Sequence, residues 1–311
     1  MAMDETQQYI RKCTVLVATR SGKALDVSDL RVKFAIKLAS AQTPNAANIR
    51  IFNLSAETAI KIKSEFTRVI IDAGYEGNFG IIFQGNIKQV IIGQESATDK
   101  FVDIIAGDGD LAYNFSLVKT SIAAGSSPQN QINACADTMS PMGVTTGGNS
   151  NVSSNQKLPR GKVMFGSSRE YLRDVADTTN NNWSIQNEKI VFVPKTSYLP
   201  GTAVDINSGT GMIGLPQQTN EGVNVKCLIN PKIKISGRIK LDNKSIVLLP
   251  VNLTLTPGSN TNTAAPLPSN GIYKVLVVEH VGDTRGTDWY STLICFYIDS
   301  TSQFQHSVSN G

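Results

Sequence analysis

Six short runs rich in β-branched and aromatic residues dominate the first third of the chain: Val15 to Ala18, Leu30 to Leu38, Asn48 to Phe52, Arg68 to Ala73, Ile81 to Ile92 and Phe101 to Ala106. Gly, Asn and Asp clusters separate them, and runs of this length between turn formers read as strands. One helix interrupts the series. Ser55 can cap Ala56 to Phe66, Glu57 falls in its positive first turn, and Ala59, Ile62 and Phe66 share a side.

The pattern changes after Tyr113. Pro128 to Met139 has helical composition, with Ser127 as N-cap, and Thr145 to Gln156 is a polar loop. Lys162 to Val193 reads as strand, helix, strand, strand. Val163 to Phe165 is the first strand, and Ser168 caps a helix over Arg169 to Thr178 with Leu172, Val175 and Ala176 inward. Trp183 to Gln186 and Lys189 to Val193 form a hairpin around Asn187-Glu188. A second β region runs from Gly201 to Asp299, with a strand-like run from Val223 to Asp242 and a polar loop from Thr256 to Pro268. Its last strand puts Tyr290, Thr292, Ile294, Phe296 and Ile298 on one face, the alternation of a half-buried strand. The expected fold is mainly β (α+β): two related barrels around a small α/β insert.

At 311 residues the chain can hold two or three cores, and 41% apolar against 17% charged residues mark it as globular. The low charge hints at surface covered by partners. A net charge of +4 from scattered basic residues does not make a nucleic-acid-binding face. Lys232, Lys234 and Lys240 alternate with Ile233, Ile235 and Leu241, as the wet side of a strand does. Cys13, Cys135, Cys227 and Cys295 lack zinc spacing and read as buried free thiols of a reducing cytoplasm. The N-terminus carries no apolar signal region, no run reaches membrane-spanning length, and no membrane insertion is expected.

No constellation supports chemistry. Gly209-Thr-Gly-Met-Ile-Gly214 fits a dinucleotide fingerprint, but Leu215-Pro216 follows where the phosphate-binding helix should begin. Asp103, Asp108 and Asp110 suggest calcium, yet Lys119 stands where the loop needs its bidentate Glu. The two histidines are His280, inside an apolar strand, and His306, in the polar tail. Glu76 and Glu95 read as exposed loop charges. No catalytic residue, cofactor or metal is expected.

Two loops remain. Gly93 to Phe101 aligns with Gly282 to Tyr290 at an offset of 189, with Gly, Thr and Asp matching and Phe facing Tyr. A structural repeat competes here with chance similarity between Gly- and Asp-rich turns. Asp283, Arg285, Asp288 and Trp289 form either an intraloop salt bridge over a buried Trp or an interface loop, where Trp and Arg are enriched. Met212, Ile213 and Leu215 are large apolar residues on a turn-like stretch, and are expected in a contact between subunits or between the insert and the second β region.

Thr210 to Thr219, Tyr273 to Gly282 and Asp283 to Tyr290, with Asn48 to Leu54 and Leu158 to Val163 before them, resemble the baseplate hub proteins of contractile-tailed bacteriophages. The resemblance covers nearly the whole chain. It implies a tube-like barrel over residues 1–115, an insert over 116–200 and a second barrel over 201–311. It further implies a homotrimeric ring that adapts a six-fold tail tube to a three-fold spike. Implied partners are the tube protein, the central spike, baseplate wedge or neighbouring tail proteins, and, in transit, DNA and the tape-measure protein. The place implied is the virion's tail baseplate, assembled in the host cytoplasm. The alternatives are a tail-associated carbohydrate-binding module, which needs exposed aromatic platforms, and a wall-degrading enzyme.

Overall fold

The computed structural model describes residues 10–19, 22–147, 152, 156–219, 222–248 and 271–297. In chain order, β1 (Arg11–Thr19), β2 (Ala24–Asp26), β3 (Val32–Ala39) and β4 (Ala46–Phe52) lead into α1 (Ala56–Glu65). Then come β5 (Phe66–Tyr75), β6 (Asn78–Gln94), β7 (Lys100–Gly107), α2 (Asp110–Phe115), β8 (Leu117–Ile122), α3 (Pro128–Met139) and β9 (Thr145–Thr146). β10 (Lys162–Ser167), α4 (Ser168–Thr178), β11 (Asn181–Gln186), β12 (Lys189–Pro194) and β13 (Val204–Asp205) follow. The last elements are β14 (Gln217–Thr219), β15 (Gly222–Leu228), β16 (Arg238–Lys240), β17 (Val247–Leu248), β18 (Ile272–Asp283) and β19 (Trp289–Phe296).

Alternation sets the sheet faces. Val32, Phe34 and Ile36 of β3, Ala47, Ile49 and Ile51 of β4, and Val102, Ile104 and Ala106 of β7 all point into the first core. A second core lies in the insert, where Ile132, Cys135 and Met139 of α3 meet Leu172 and Val175 of α4 over Trp183 and Phe192. A third joins Val225, Ile239, Tyr273, Val275 and Leu293.

Fourteen strands make one sheet, with the order β17-β14-β15-β19-β18-β3-β4-β7-β6-β5-β1-β2; β16 joins β18, and β13 joins β16. The mainly β architecture with a small α/β insert is as expected. The pairing is an open path that closes on itself nowhere among the described residues, and β18 against β3 welds the two β regions edge to edge.

Inside that sheet one pattern occurs twice. The antiparallel order β3-β4-β7-β6-β5 recurs as β14-β15-β19-β18-β16, with members in the same chain sequence. Each copy has a bulge where its long strand pairs with the strand that follows it, between Ile87 and Gln89 in β6 and between Val275 and Val277 in β18; β6 has a further one at Ile82, against β5. A bulge bends a strand and lets it change neighbours. From Lys88 and Leu276, the residues inside the bulges, each strand runs six residues to its last pair, Gln94 with Lys100 and Gly282 with Trp289. Thr98-Asp99 and Thr287-Asp288 close equivalent turns, and Phe101 matches Tyr290. The ascending strands differ from the sequence alignment by one residue. Gly93 is level with Val281 rather than Gly282, and Ile87 with Val275 rather than Leu276, because the second turn is one residue longer.

Other expectations shift locally. Ser55 does cap α1, its side chain accepting from Thr58 N at 3.1 Å, but Phe66 already opens β5. The N-cap of α4 is Ser167, not Ser168. Thr145 and Thr146 pair with β12 as a strand, while residues 148–151 and 153–155 of that loop lie outside the described residues. The run from Val223 to Asp242 is not continuous: turns over residues 229–237 separate β15 from β16, although Ile233 and Ile235 are buried and Lys232 and Lys234 exposed, as the alternation required. In β19 the alternation holds: Trp289, Ser291, Leu293 and Cys295 make the fully buried face, and Tyr290, Thr292, Ile294 and Phe296 the half-buried one. The loop at 256–269, Ile298 and His306 are outside the described residues.

Candidate functional site

The joint between the two β regions lies where Val277–Asp283 of β18 pairs with Ala39–Lys33 of β3. Asp283 closes it. Its carboxylate accepts from Arg31 Nη2 at 2.7 Å and Nε at 3.2 Å, with Lys33 Nζ 3.8 Å away. The Arg31 bonds hold the Asp283 carboxyl below its ordinary range against the opposing effect of burial. Arg285 N donates to Asp283 Oδ1 at 3.0 Å, and Arg285 Nη2 donates to Asp29 O at 2.7 Å. Trp289 is buried, edge-on to Phe34 with ring centroids 5.6 Å apart, and the Arg11 guanidinium lies 5.7 Å from its centroid.

The ion pair thus crosses between regions instead of staying inside the loop. Asp283 and Trp289 are turned into the chain's own joint, while Arg285 and Asp288 stay at the surface.

Met212, Ile213 and Leu215 sit elsewhere, beside β14, with β15 and β19 between them and β18. Asn207 caps a single 3-10 turn over Ser208–Thr210, accepting from Gly209 N at 2.8 Å and Thr210 N at 3.1 Å. Gly211 then turns left-handed at φ 94°. Met212 bridges to Cys227 and packs on the third core, whereas Ile213 and Leu215 are exposed. No helix opens after Gly214, so the glycine pattern is a turn and not a phosphate cradle.

The remaining polar residues are structural. His280 is buried with Nδ1 2.7 Å from Ser291 Oγ, and burial pushes its pKa down to about 3, which favours the uncharged imidazole. Asp108 ties the insert to the first core: it accepts from Asn187 N at 2.6 Å and Glu188 N at 2.7 Å, and Glu188 pairs with Arg68. Burial lifts Asp108 to about 7. Asp103 is held by Arg50 at 2.7 Å and Asp110 by Lys88 at 2.9 Å. Glu95 stands 3.7 Å from Arg50, and Glu76 is exposed. Among the described residues no group of three or more His, Cys, Asp or Glu could hold a metal ion, and no helix is long and apolar enough to cross a membrane. The four cysteines are free, and burial pushes Cys13, Cys135 and Cys227 up to about 12.

Two features escaped the sequence reading. Lys274 is fully buried, its Nζ donating to Ser197 O at 2.7 Å and Pro194 O at 3.3 Å, and burial brings it down to about 8. Phe115, Leu117, Val163 and Phe165 are exposed on and beside the two-stranded sheet of β8 and β10, while Val118 and Met164 fill the face behind. The signal was Val163-Met164-Phe165, apolar on both faces where a surface strand alternates.

A family model for baseplate hub gp41 matches residues 12–246. A search of curated proteins gives no match. Among solved structures, the 43 kDa tail protein of prophage MuSo2 from Shewanella oneidensis superposes with a TM-score of 0.57 at 6% identity, over 91% of this chain and 96% of that one. A tail protein from Neisseria meningitidis MC58 gives 0.55 at 9%, over 92% and 96%. The E. coli c3393 protein, a type VI secretion system component described as structurally similar to T4 tail proteins gp27 and gp5, gives 0.52 at 9%, over 96% and 80%. At these identities the structures speak to the fold alone, and the family match covers most of the chain. The chain belongs to the baseplate hub gp41 family of phage tail proteins.

Proposed function

We propose that the chain forms a homotrimeric ring in the tail baseplate, adapting a six-fold tube to a three-fold spike and lining the channel through which DNA and the tape-measure protein pass. The five-strand pattern present twice in one chain carries this reading. Three copies would present six similar units to one side and three chains to the other. The three cores support a division near residues 115 and 200.

Partners would be the tube protein, the spike protein and neighbouring baseplate proteins. The exposed face of Phe115, Leu117, Val163 and Phe165 is suited to one of the last. Met212, Ile213, Leu215, Arg285 and Asp288 would lie in subunit contacts. The chain is read as a virion component, assembled in the host cytoplasm, without catalytic activity. Both tryptophans, Trp183 and Trp289, are buried, so neither gives a sugar an exposed platform.

The mass of the purified protein by sedimentation equilibrium tests this. A particle of three chain masses is expected. A monomer at every concentration, or one that binds glycans, overturns the ring.

A further inference from the structure

We infer that the outer edge of β6 beyond its bulge, from Gln89 to Glu95, is a docking edge for the Met212–Thr219 edge of a second copy of this chain, adding to the sheet in antiparallel order. The number of copies rests on the ring reading above; the contact itself rests on the repeat.

Inside one chain, β18 has neighbours on both sides after its bulge: β19 on one and β3 on the other. Among the described residues its counterpart β6 pairs with no strand but β7 there, because β5 stops at the pair Arg68–Asn86. The consequence is visible side by side. Counted from the bulges, Ile92 occupies the place of His280, and its partner Val102 that of Ser291. His280 is 1% exposed under β3, whereas Ile92 is 43% exposed although Val102 is buried in the core. Ile91, in the place of Glu279, is also exposed. An apolar strand edge left open is a template for another strand.

The repeat also names what would cover it. Aligned through β4 and β15, the buried residues Phe34 and Ile36 of β3 correspond to the buried Pro216 and Gln218. Arg31 and Lys33, which grip Asp283 within the chain, then correspond to Ile213 and Leu215. These are 39% and 59% exposed. Both sides therefore change character together. Where the joint inside the chain uses Arg31, Lys33, Glu279 and His280, the β6 edge carries Ile91 and Ile92, and the stretch ahead of the β17 pairing on the other edge carries Ile213 and Leu215. β17 sits on part of the Met212–Thr219 edge, paired in parallel through Gln217 and Gln218, and would be displaced by β6 of the other copy. The register of the internal joint places Ile91 opposite Thr219 and Glu95 opposite Leu215. One edge of each kind per chain makes the contact head-to-tail, the kind that closes into rings.

Mixing an Ile91→Cys chain with a Thr219→Cys chain under mild oxidation tests this, read on non-reducing gels and by mass spectrometry of the linked peptides, with wild type controlling for Cys13. The expected result is a shift to two-chain mass in the mixture only, linked 91 to 219, and a ladder up to the full ring in the double variant. Circular dichroism of each variant checks that it is folded. Three-chain particles without the 91–219 link overturn the docking edge and leave the ring reading standing. Monomers without the link overturn both. Links formed by either variant alone mean isologous pairing and overturn the head-to-tail contact.

Discussion

Asp108 and Trp289 show how far two single side chains hold regions together. Asp108 is buried with a folded pKa of about 7, well above an unfolded carboxylate near about 3.9. A folded state that binds the proton more tightly has its full stability below the unfolded value and loses it as pH rises through the folded one. Stability in urea should therefore fall between about pH 4 and about pH 7, by on the order of 2–4 kcal/mol. Glu188, also raised by burial, acts in the same direction. Asp108→Asn should remove at least half of that slope; an unchanged slope would place the titration elsewhere. At Trp289, truncation to Ala should cost about 3–5 kcal/mol by chemical denaturation, since the ring fills the joint against Phe34. Trp289→Phe should cost less than about 2 kcal/mol. It keeps an aromatic ring there and removes an indole N–H that finds no partner among the described residues.

At the scale of elements, the β18–β3 pair is the seam, and Asp283 pins its end. Asp283→Asn leaves Arg31 and Lys33 facing a neutral amide and should cost about 1–3 kcal/mol at pH 7. Because the Asp283 carboxyl is held below its ordinary range, its contribution is present above that range and lost as pH falls through the folded value. Variant and wild type should converge in acid, and a gap that persists at low pH would assign the loss to packing. Gly282 is the other requirement of the seam. A Cβ there would lie inside the envelope of the Phe34 ring, so Gly282→Ala should cost about 1–3 kcal/mol in the same denaturation assay.

For the whole molecule, the repeat predicts that assembly and folding respond separately. Ile213 is partly exposed in the chain, so Ile213→Asp should change the unfolding free energy of dilute protein by less than about 1 kcal/mol. If the residue is buried between subunits, the same change should weaken assembly by about 2–4 kcal/mol. Sedimentation of the variant alongside its denaturation curve measures both, and an unchanged particle would leave this turn solvent-exposed.

Local physics made much of this molecule legible. The capping of α1, α3 over Pro128–Met139 and the Asn187-Glu188 hairpin all follow from interactions within a few residues, which the sequence contains directly. The turn at Gly209–Gly214 and the burial of His280 were readable for the same reason: Pro216 and the apolar neighbours of His280 stand beside them in the chain. The tertiary structure decided what depends on residues far apart. No local signal says that Asp283 pairs with Arg31, that Lys274 is buried on the carbonyls of Pro194 and Ser197, or which face of β19 is covered. Nor could alternation distinguish two closed barrels from one open sheet, because a strand has the same period of two in both and only edge pairing differs. The sequence determined which segments become strands, and the long-range pairing of β18 with β3 decided that they form one sheet with open edges.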